Sequence, residues 1–393
     1  MSLWQRADSI LSSSTASSPN NTGRTDRHLD NSEILDFIRD FDIAGVPVGA
    51  EVCNTGHINR TYIVTTESEH GEGKYILQRI NTSVFTNPDE LMHNIENVTA
   101  YLRREIAAEG GDPDRETLSI VRCGGKLYRT DADGGVWRVY VFVPGTRSYD
   151  SADTPEMLEA AGLAFGRFQK RLSDFPAAEL HETLPRFHDT AKRYRDFLTA
   201  VNEDRAGRAE SVKNEIEFIK ARAERFSYIT DRISAGRIPL RVTHNDTKLN
   251  NVLIDTESGK AVCVVDLDTV MPGSVLYDFG DGIRFGASSA AEDERELDRV
   301  FVRLDMFDGF AKGFIAGCGG SLTDEELDAL PMGAYIITAE TGMRFLADHL
   351  NGDTYFSIHR ENHNLDRART QLKLVSDMET KLGDMERIIA KYR

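Results

Sequence analysis

The segment VTHNDTKLNNVLID, followed after a short polar turn by AVCVVDLDTV, constrains this chain more than any other feature. Both runs are rich in β-branched residues, and a Thr-Glu-Ser-Gly turn separates them, so they read as two short paired strands. They interrupt a half of the chain whose pattern is otherwise helical. A hairpin embedded among helices must be held by the core around it, and the polar residues at its ends then converge.

Upstream the pattern is different. Residues 1–30 are rich in Ser, Thr, Asn and Asp, show no apolar period, and read as a flexible tail. Asn31-Ser32 offers an N-cap, and Ile34, Ile38 and Phe41 follow at helical spacing. Strand-like runs occupy Glu51 to Cys53, Thr61 to Thr65 and Tyr75 to Ile80. A helix after Pro88 carries Leu91, Ile95, Val98 and Leu102 on one face. Further strands are expected around Lys126 to Arg129 and Val136 to Val143. Pro144-Gly145 then marks a hinge. Beyond it the chain is mainly helical, with helices expected over 155–172 and 210–235 and beyond 291. The expected organisation is α+β. An N-terminal lobe over 31–143 has a small antiparallel sheet and one main helix. A larger, mainly helical lobe over 144–393 carries the β-hairpin.

Within the hairpin, His244, Asp246 and Asn251 form H-x-D-x-x-x-x-N, and Asp266 and Asp268 end the second strand. These residue types meet the needs of phosphoryl transfer. A carboxylate orients or deprotonates the attacking hydroxyl, which makes Asp246 the candidate base. Mg²⁺ neutralises phosphate oxygens and takes oxygen ligands, which Asn251 and Asp266 supply. Asp268, on the same strand face as Asp266, is a further candidate ligand. Lys248 is a candidate cation for the migrating phosphoryl group. The triplet Asp278-Phe279-Gly280 matches a known magnesium motif, but it follows a Pro-Gly turn in a new segment. Asp278 is therefore expected to cap backbone near the catalytic loop instead.

Composition removes other classes. The net charge is −17, from 47 basic and 64 acidic residues, which disfavours a nucleic-acid partner. The four cysteines are scattered without a CxxC or Cys/His cluster, so neither a zinc site nor a disulfide framework is expected. No apolar run approaches the ~18–20 residues that span a bilayer, and no signal core opens the chain. A cytoplasmic monomer without a membrane partner is expected.

At these motifs the chain resembles the aminoglycoside phosphotransferase and choline kinase superfamily, and more closely the N-acetylhexosamine 1-kinases. The resemblance rests on INRTYIV, YILQRINTSVF, LPRFHDT, THNDTKLNNVLID, VVDLDTVMPG, YDFGDGIRF and RFLADHLNGDTYF with NLDRARTQ, and spans about 50 to 375. It implies a bilobal, protein-kinase-like fold and transfer of the ATP γ-phosphate to the anomeric hydroxyl of GlcNAc or GalNAc. It also implies that Asp246 meets that hydroxyl and that Arg344 and Tyr355 bind the sugar. Other acceptors within the superfamily (an aminoglycoside, choline, homoserine or another sugar) and a nucleotide-binding pseudokinase are the alternatives.

The nucleotide side departs from the common kinase pattern. No GxGxxG is present, only TGHINRTY, leaving Gly56 where a phosphate loop would turn. The third strand carries Gln78-Arg79 where many kinases place Lys. Arg79 is the expected phosphate cation, Glu96 its acidic partner, and Phe142 and Val143 the backbone that meets adenine.

Overall fold

The computed structural model describes residues 30–53 and 59–393. The tail and Gly56 therefore lie outside the described residues. The chain opens with helix α1 (Asn31–Ile38), capped by Asp30, whose side chain accepts the Glu33 N–H in a capping box. The cap thus stands one residue before the expected Asn31-Ser32 pair. Strands β1 (Val46–Cys53), β2 (Arg60–Ser68) and β3 (Gly71–Ile80) follow, then helix α2 (Pro88–Ala108) and the single turn α3 (Pro113–Glu116). Strands β4 (Ile120–Val121), β5 (Arg129–Thr130) and β6 (Val136–Val141) complete the sheet, and β4 was not anticipated from sequence. All pairings are antiparallel, in the order β1-β2-β3-β6-β4, with β5 also on β6.

The two faces of this sheet bury different things. Tyr62, Val64, Tyr75, Leu77, Trp137 and Val139 pack against Ile34 and Ile38 of α1. Ile80, Val136 and Tyr140, on the other face, join α2 and the main core. Strand alternation then assigns Arg79 to the α1 face, with Leu77, and Gln78 to the α2 face.

After the hinge, β7 (Thr146–Arg147) precedes helices α4 (Pro155–Arg171), α5 (Thr190–Glu203), α6 (Lys213–Lys220) and α7 (Tyr228–Ser234). The single helix expected over 210–235 is broken. Arg222, two residues past the end of α6, donates to the Phe218 carbonyl at 2.8 Å and is held by a tertiary ion pair with Glu379 at 2.6 Å. Next come β8 (Arg241–Thr243), β9 (Val252–Asp255), β10 (Ala261–Val264) and β11 (Met271–Gly273). The remaining helices are α8 (Val275–Gly286), α9 (Leu304–Cys318), α10 (Asp324–Leu350) and α11 (His363–Ala390). β9 pairs with β10 as expected, and also with β7, which ties the hinge to the hairpin.

The helical part is locked by glycine contacts. α4 and α9 approach so closely that a Cβ at Gly313 would stand 2.0 Å from the Glu159 carbonyl oxygen. Gly280 of α8 faces the Gly333 carbonyl of α10 at 2.5 Å in the same sense. Gly313→Ala is expected to cost about 1–3 kcal/mol by overpacking. Urea unfolding would show it as a lower midpoint with an unchanged slope.

Candidate active site

The candidate catalytic loop between β8 and β9 is held from below by Asp278 of α8. One carboxylate oxygen accepts the Asn245 N–H at 2.7 Å, and the other accepts the His244 N–H at 3.0 Å and the Gln169 amide at 2.6 Å. The side chain is fully buried, and burial pushes its carboxyl up. The backbone role expected for Asp278 is what the structure shows. Phe279 packs among Phe307, Phe310 and Phe314, and Gly280 admits α10, so the whole triplet serves the scaffold. Asp281, one α-helical turn on, adds a second anchor. It accepts the Thr247 N–H at 2.9 Å and is itself gripped by Arg284 at 2.9 Å.

His244 couples this loop to the hairpin. Its Nε2 donates to the Val265 carbonyl at 2.9 Å, its Nδ1 accepts the Asp246 N–H at 3.3 Å, and Phe165 and Phe168 flank the ring. Asn245 holds a left-handed backbone (φ 65°), a conformation Asn tolerates better than most residues. That turn presents Asp246 outward. Lys248 pairs with one Asp246 oxygen at 2.7 Å, and the Asn251 amide donates to the other at 3.1 Å. Burial pushes the Asp246 carboxyl up, but Lys248, His244 and Asn251 hold it below the usual range.

Asn251 also donates to the Asp246 carbonyl at 2.8 Å, so its nitrogen is spent and its side-chain oxygen is the atom offered to a cation. Its own carbonyl accepts the Val265 N–H at 2.9 Å, which brings Asp266 alongside. Here the sequence expectation needs correcting: Asp266 and Asp268 do not share a strand face. β10 ends at Val264, Asp266 turns left-handed (φ 59°), and Asp268 lies in a short 3-10 turn over Leu267–Thr269. Both Val265 backbone groups are drawn to His244 and Asn251, which turns the chain out of the strand. Asp268 spends one oxygen on Asn59 at 2.6 Å and the other on Arg138 at 2.5 Å.

Desolvation, then repulsion from Asp268 and Asp246, pushes the Asp266 carboxyl up to about 7. Lys248 and Arg138 offset part of this negative charge, and Asp266 itself lies exposed. Among the described residues no three His, Cys, Asp or Glu side chains form a metal cage. That donor set nevertheless suits Mg²⁺, which takes one or two protein oxygens and completes its shell with water and substrate phosphates.

On the sheet side, Arg79 does not reach this cleft. A Cβ on Gly135 would stand 2.6 Å from Arg79 Nε and 2.5 Å from Asp131 Oδ2, which locates the guanidinium beside Asp131 on the α1 face. Glu96 pairs with Arg122 instead. The reason is register: Arg79 stands opposite Trp137, with its side chain on the Leu77 face. At the hinge, the Phe142 N–H donates to Lys74 and the Val143 carbonyl accepts from Thr146. The Phe142 carbonyl and Val143 N–H have no backbone partner among the described residues.

Arg344 of α10 and the loop after it form a second cluster. Asp348 accepts the N–H groups of Thr354, Tyr355 and Phe356, each at 2.9 Å, which fixes Tyr355 in an exposed position. Phe187, Tyr355 and Phe356 surround the Arg344 guanidinium at 5.5–6.0 Å. Arg193 stands close by, pushed below its usual value by burial and by Arg344. His188 links this cluster to the loop after β8: its ring lies tilted against Phe187, bonds buried Glu340 at 2.9 Å, and lies 3.5 Å from the Asn245 carbonyl. His188, Arg193, Asp281 and Glu340 escaped sequence reasoning, although LPRFHDT and YDFGDGIRF contain two of the acids' and ring's positions. A cavity of about 340 Å³ between α3, α4 and the β9–β10 turn is lined by none of these groups.

A family model described as "Phosphotransferase enzyme family" matches residues 49–311. An aminoglycoside phosphotransferase from Alicyclobacillus acidocaldarius is 14% identical with a TM-score of 0.59, over 94% of this chain and 99% of that one. A spectinomycin phosphotransferase in complex with ADP and spectinomycin is 12% identical with a TM-score of 0.56, over 90% and 99%. A choline kinase from Cryptosporidium parvum is 13% identical with a TM-score of 0.52, over 90% and 96%. The fold is the kinase-like one these structures share.

Asp278→Ala would leave two loop N–H groups without their acceptor in the core and remove one of the two acceptors of the Gln169 amide. A loss of about 3 kcal/mol or more is expected, larger than for Asp246→Ala, and chemical denaturation of both variants checks it.

Proposed function

The chain belongs to the phosphotransferase enzyme family, and from that premise we propose that it transfers the γ-phosphate of ATP to the anomeric hydroxyl of an N-acetylhexosamine. The lobe over 31–143 holds the nucleotide, and the lobe over 144–393 carries the catalytic loop and the acceptor. The observation that carries the acceptor class is the charge around Arg344. Two arginines, Arg193 and Arg344, stand behind the catalytic loop, and the nearby Glu340 is already engaged by His188 and Thr190. Such a surface repels choline or a polycationic aminoglycoside. It suits a neutral polyol with an acetamide oxygen, to which the Arg344 fork donates while Tyr355 covers the ring.

In this reading the anomeric oxygen lies against Asp246. As that oxygen attacks the γ-phosphorus, the bond to the β,γ-bridging oxygen breaks, ADP leaves, and the hydroxyl proton passes to Asp246 and then to solvent. Asp246 is a weak base because Lys248 holds its charge. That suffices for an acidic anomeric hydroxyl and a loose transition state in which the proton leaves late. Lys248 also brings positive charge toward the migrating phosphoryl group. Asn251 and Asp266 would hold Mg²⁺, which when bound neutralises phosphate oxygens.

A coupled ADP-release assay over GlcNAc, GalNAc, glucose, galactose, an aminoglycoside, choline and homoserine tests the acceptor. Phosphorus NMR of the product distinguishes a 1-phosphate from a 6-phosphate. Turnover on an amine acceptor but on no amino sugar would sink this reading. Asp246→Ala is expected to lower kcat by roughly 10²–10⁴-fold with ATP binding retained. Arg344→Ala is expected to raise the acceptor KM at least roughly tenfold, with the ATP KM unchanged.

A further inference from the structure

Building on the kinase reading, we propose that Arg138 of β6 carries positive charge to the nucleotide phosphates and that Asp268 is its positioning residue. The sheet needs such a group on its α2 face. β3 presents neutral Gln78 there, while Arg79 lies on the opposite face. Arg138 is paired with Gln78 across the two strands. The Gln78 side-chain oxygen accepts Nε and one terminal nitrogen of Arg138 at 3.1 and 2.9 Å, which orients the guanidinium plane. The other terminal nitrogen meets Asp268 at 2.5 Å. Arg138 is only 1% exposed. A charge so enclosed is costly unless paired or held for a ligand.

What surrounds the guanidinium points to a ligand. Its partner Asp268 lies two residues after Asp266, the candidate metal ligand, in the turn that follows β10, so it borders the place where phosphates and Mg²⁺ would meet. From α2 it meets Met92 sulfur at 4.0 Å, not an acid, because Glu96 is taken by Arg122. The acidic partner comes from the other lobe: Asp268, itself held by Asn59 at 2.6 Å. In the protein-kinase template, a lysine on the third strand pairs with a glutamate on the following helix. Here the same pairing of charges is built from a neighbouring strand and the turn after the hairpin. The partner's lobe of origin makes the pair a bridge across the cleft as well.

Binding of ATP, ADP and adenosine, measured calorimetrically with Mg²⁺ on folded wild-type, Arg138→Lys, Arg138→Gln and Asp268→Asn proteins, tests this. In Arg138→Gln the ATP affinity is expected to fall roughly 10–100-fold while adenosine stays within about 2-fold. Arg138→Lys is expected to lie between, and Asp268→Asn to shift in the same direction. A strut that only joins the lobes would lower the melting temperature without changing the ratio of ATP to adenosine affinity, and that result overturns the proposal. Failure of the wild-type protein to bind ATP would overturn both this inference and the kinase reading. Wild-type binding with unaltered variants overturns this inference alone. A structure with ADP and Mg²⁺ decides independently of variant folding. Arg138 within about 3 Å of a phosphate oxygen is expected, and Arg138 bound only to Asp268, away from the phosphates, refutes it.

Discussion

The buried carboxylate of Asp278 is the interaction on which the remaining site geometry rests. Two successive backbone N–H groups and a glutamine amide converge on it, so the loop leaving β8 has one conformation. In water those donors would find other partners. In the core, leaving one unmet costs about 1–3 kcal/mol. With His244 and Asn245 pinned, the left-handed turn at Asn245 aims Asp246 outward, and the His244 ring reaches Val265 on the far side. Asp246 and the candidate metal ligands thus owe their proximity to an acid buried beneath the loop.

The two parts of the chain meet through polar side chains as well as through packing. Asn94 of α2 donates to the Val270 carbonyl at 3.0 Å and to the His181 carbonyl at 2.8 Å, and it accepts the His181 N–H. Asp268 receives Asn59 and Arg138 from the sheet side. Buried polar contacts of this kind are directional, and a shift of either part breaks several at once. Strand β7 adds a direct backbone link to β9, at Ile254 and Asp255.

Much of this was legible from residue order. Asp246, Asn251 and Asp266 lie on one loop and the strand end after it, and short connections allow little choice about their meeting. Asp278 was legible too as the start of a new segment, although Pro272-Gly273 before it form strand β11 rather than a turn. Arg79 was misjudged for a definite reason. Adjacent residues on a strand point to opposite faces, and nothing local says which face is the cleft. The pairing of Asp266 with Asp268 failed similarly: alternation was assumed past Val264, where tertiary hydrogen bonds to Val265 had already ended the strand.

The sequence by itself determined the chemistry on offer. Local spacing dictates which side chains one loop can gather, and apolar periodicity dictates a sheet followed by helices. Only the tertiary structure decided which cation faces the acids, since β3 and β6 are distant in sequence and their register depends on packing against α1 and α2. It alone also brought His188, Arg193 and Arg344 behind the catalytic loop, from helices and turns far apart in the chain. Long-range contacts are set by how whole faces fill a core, and no short stretch of residues encodes that.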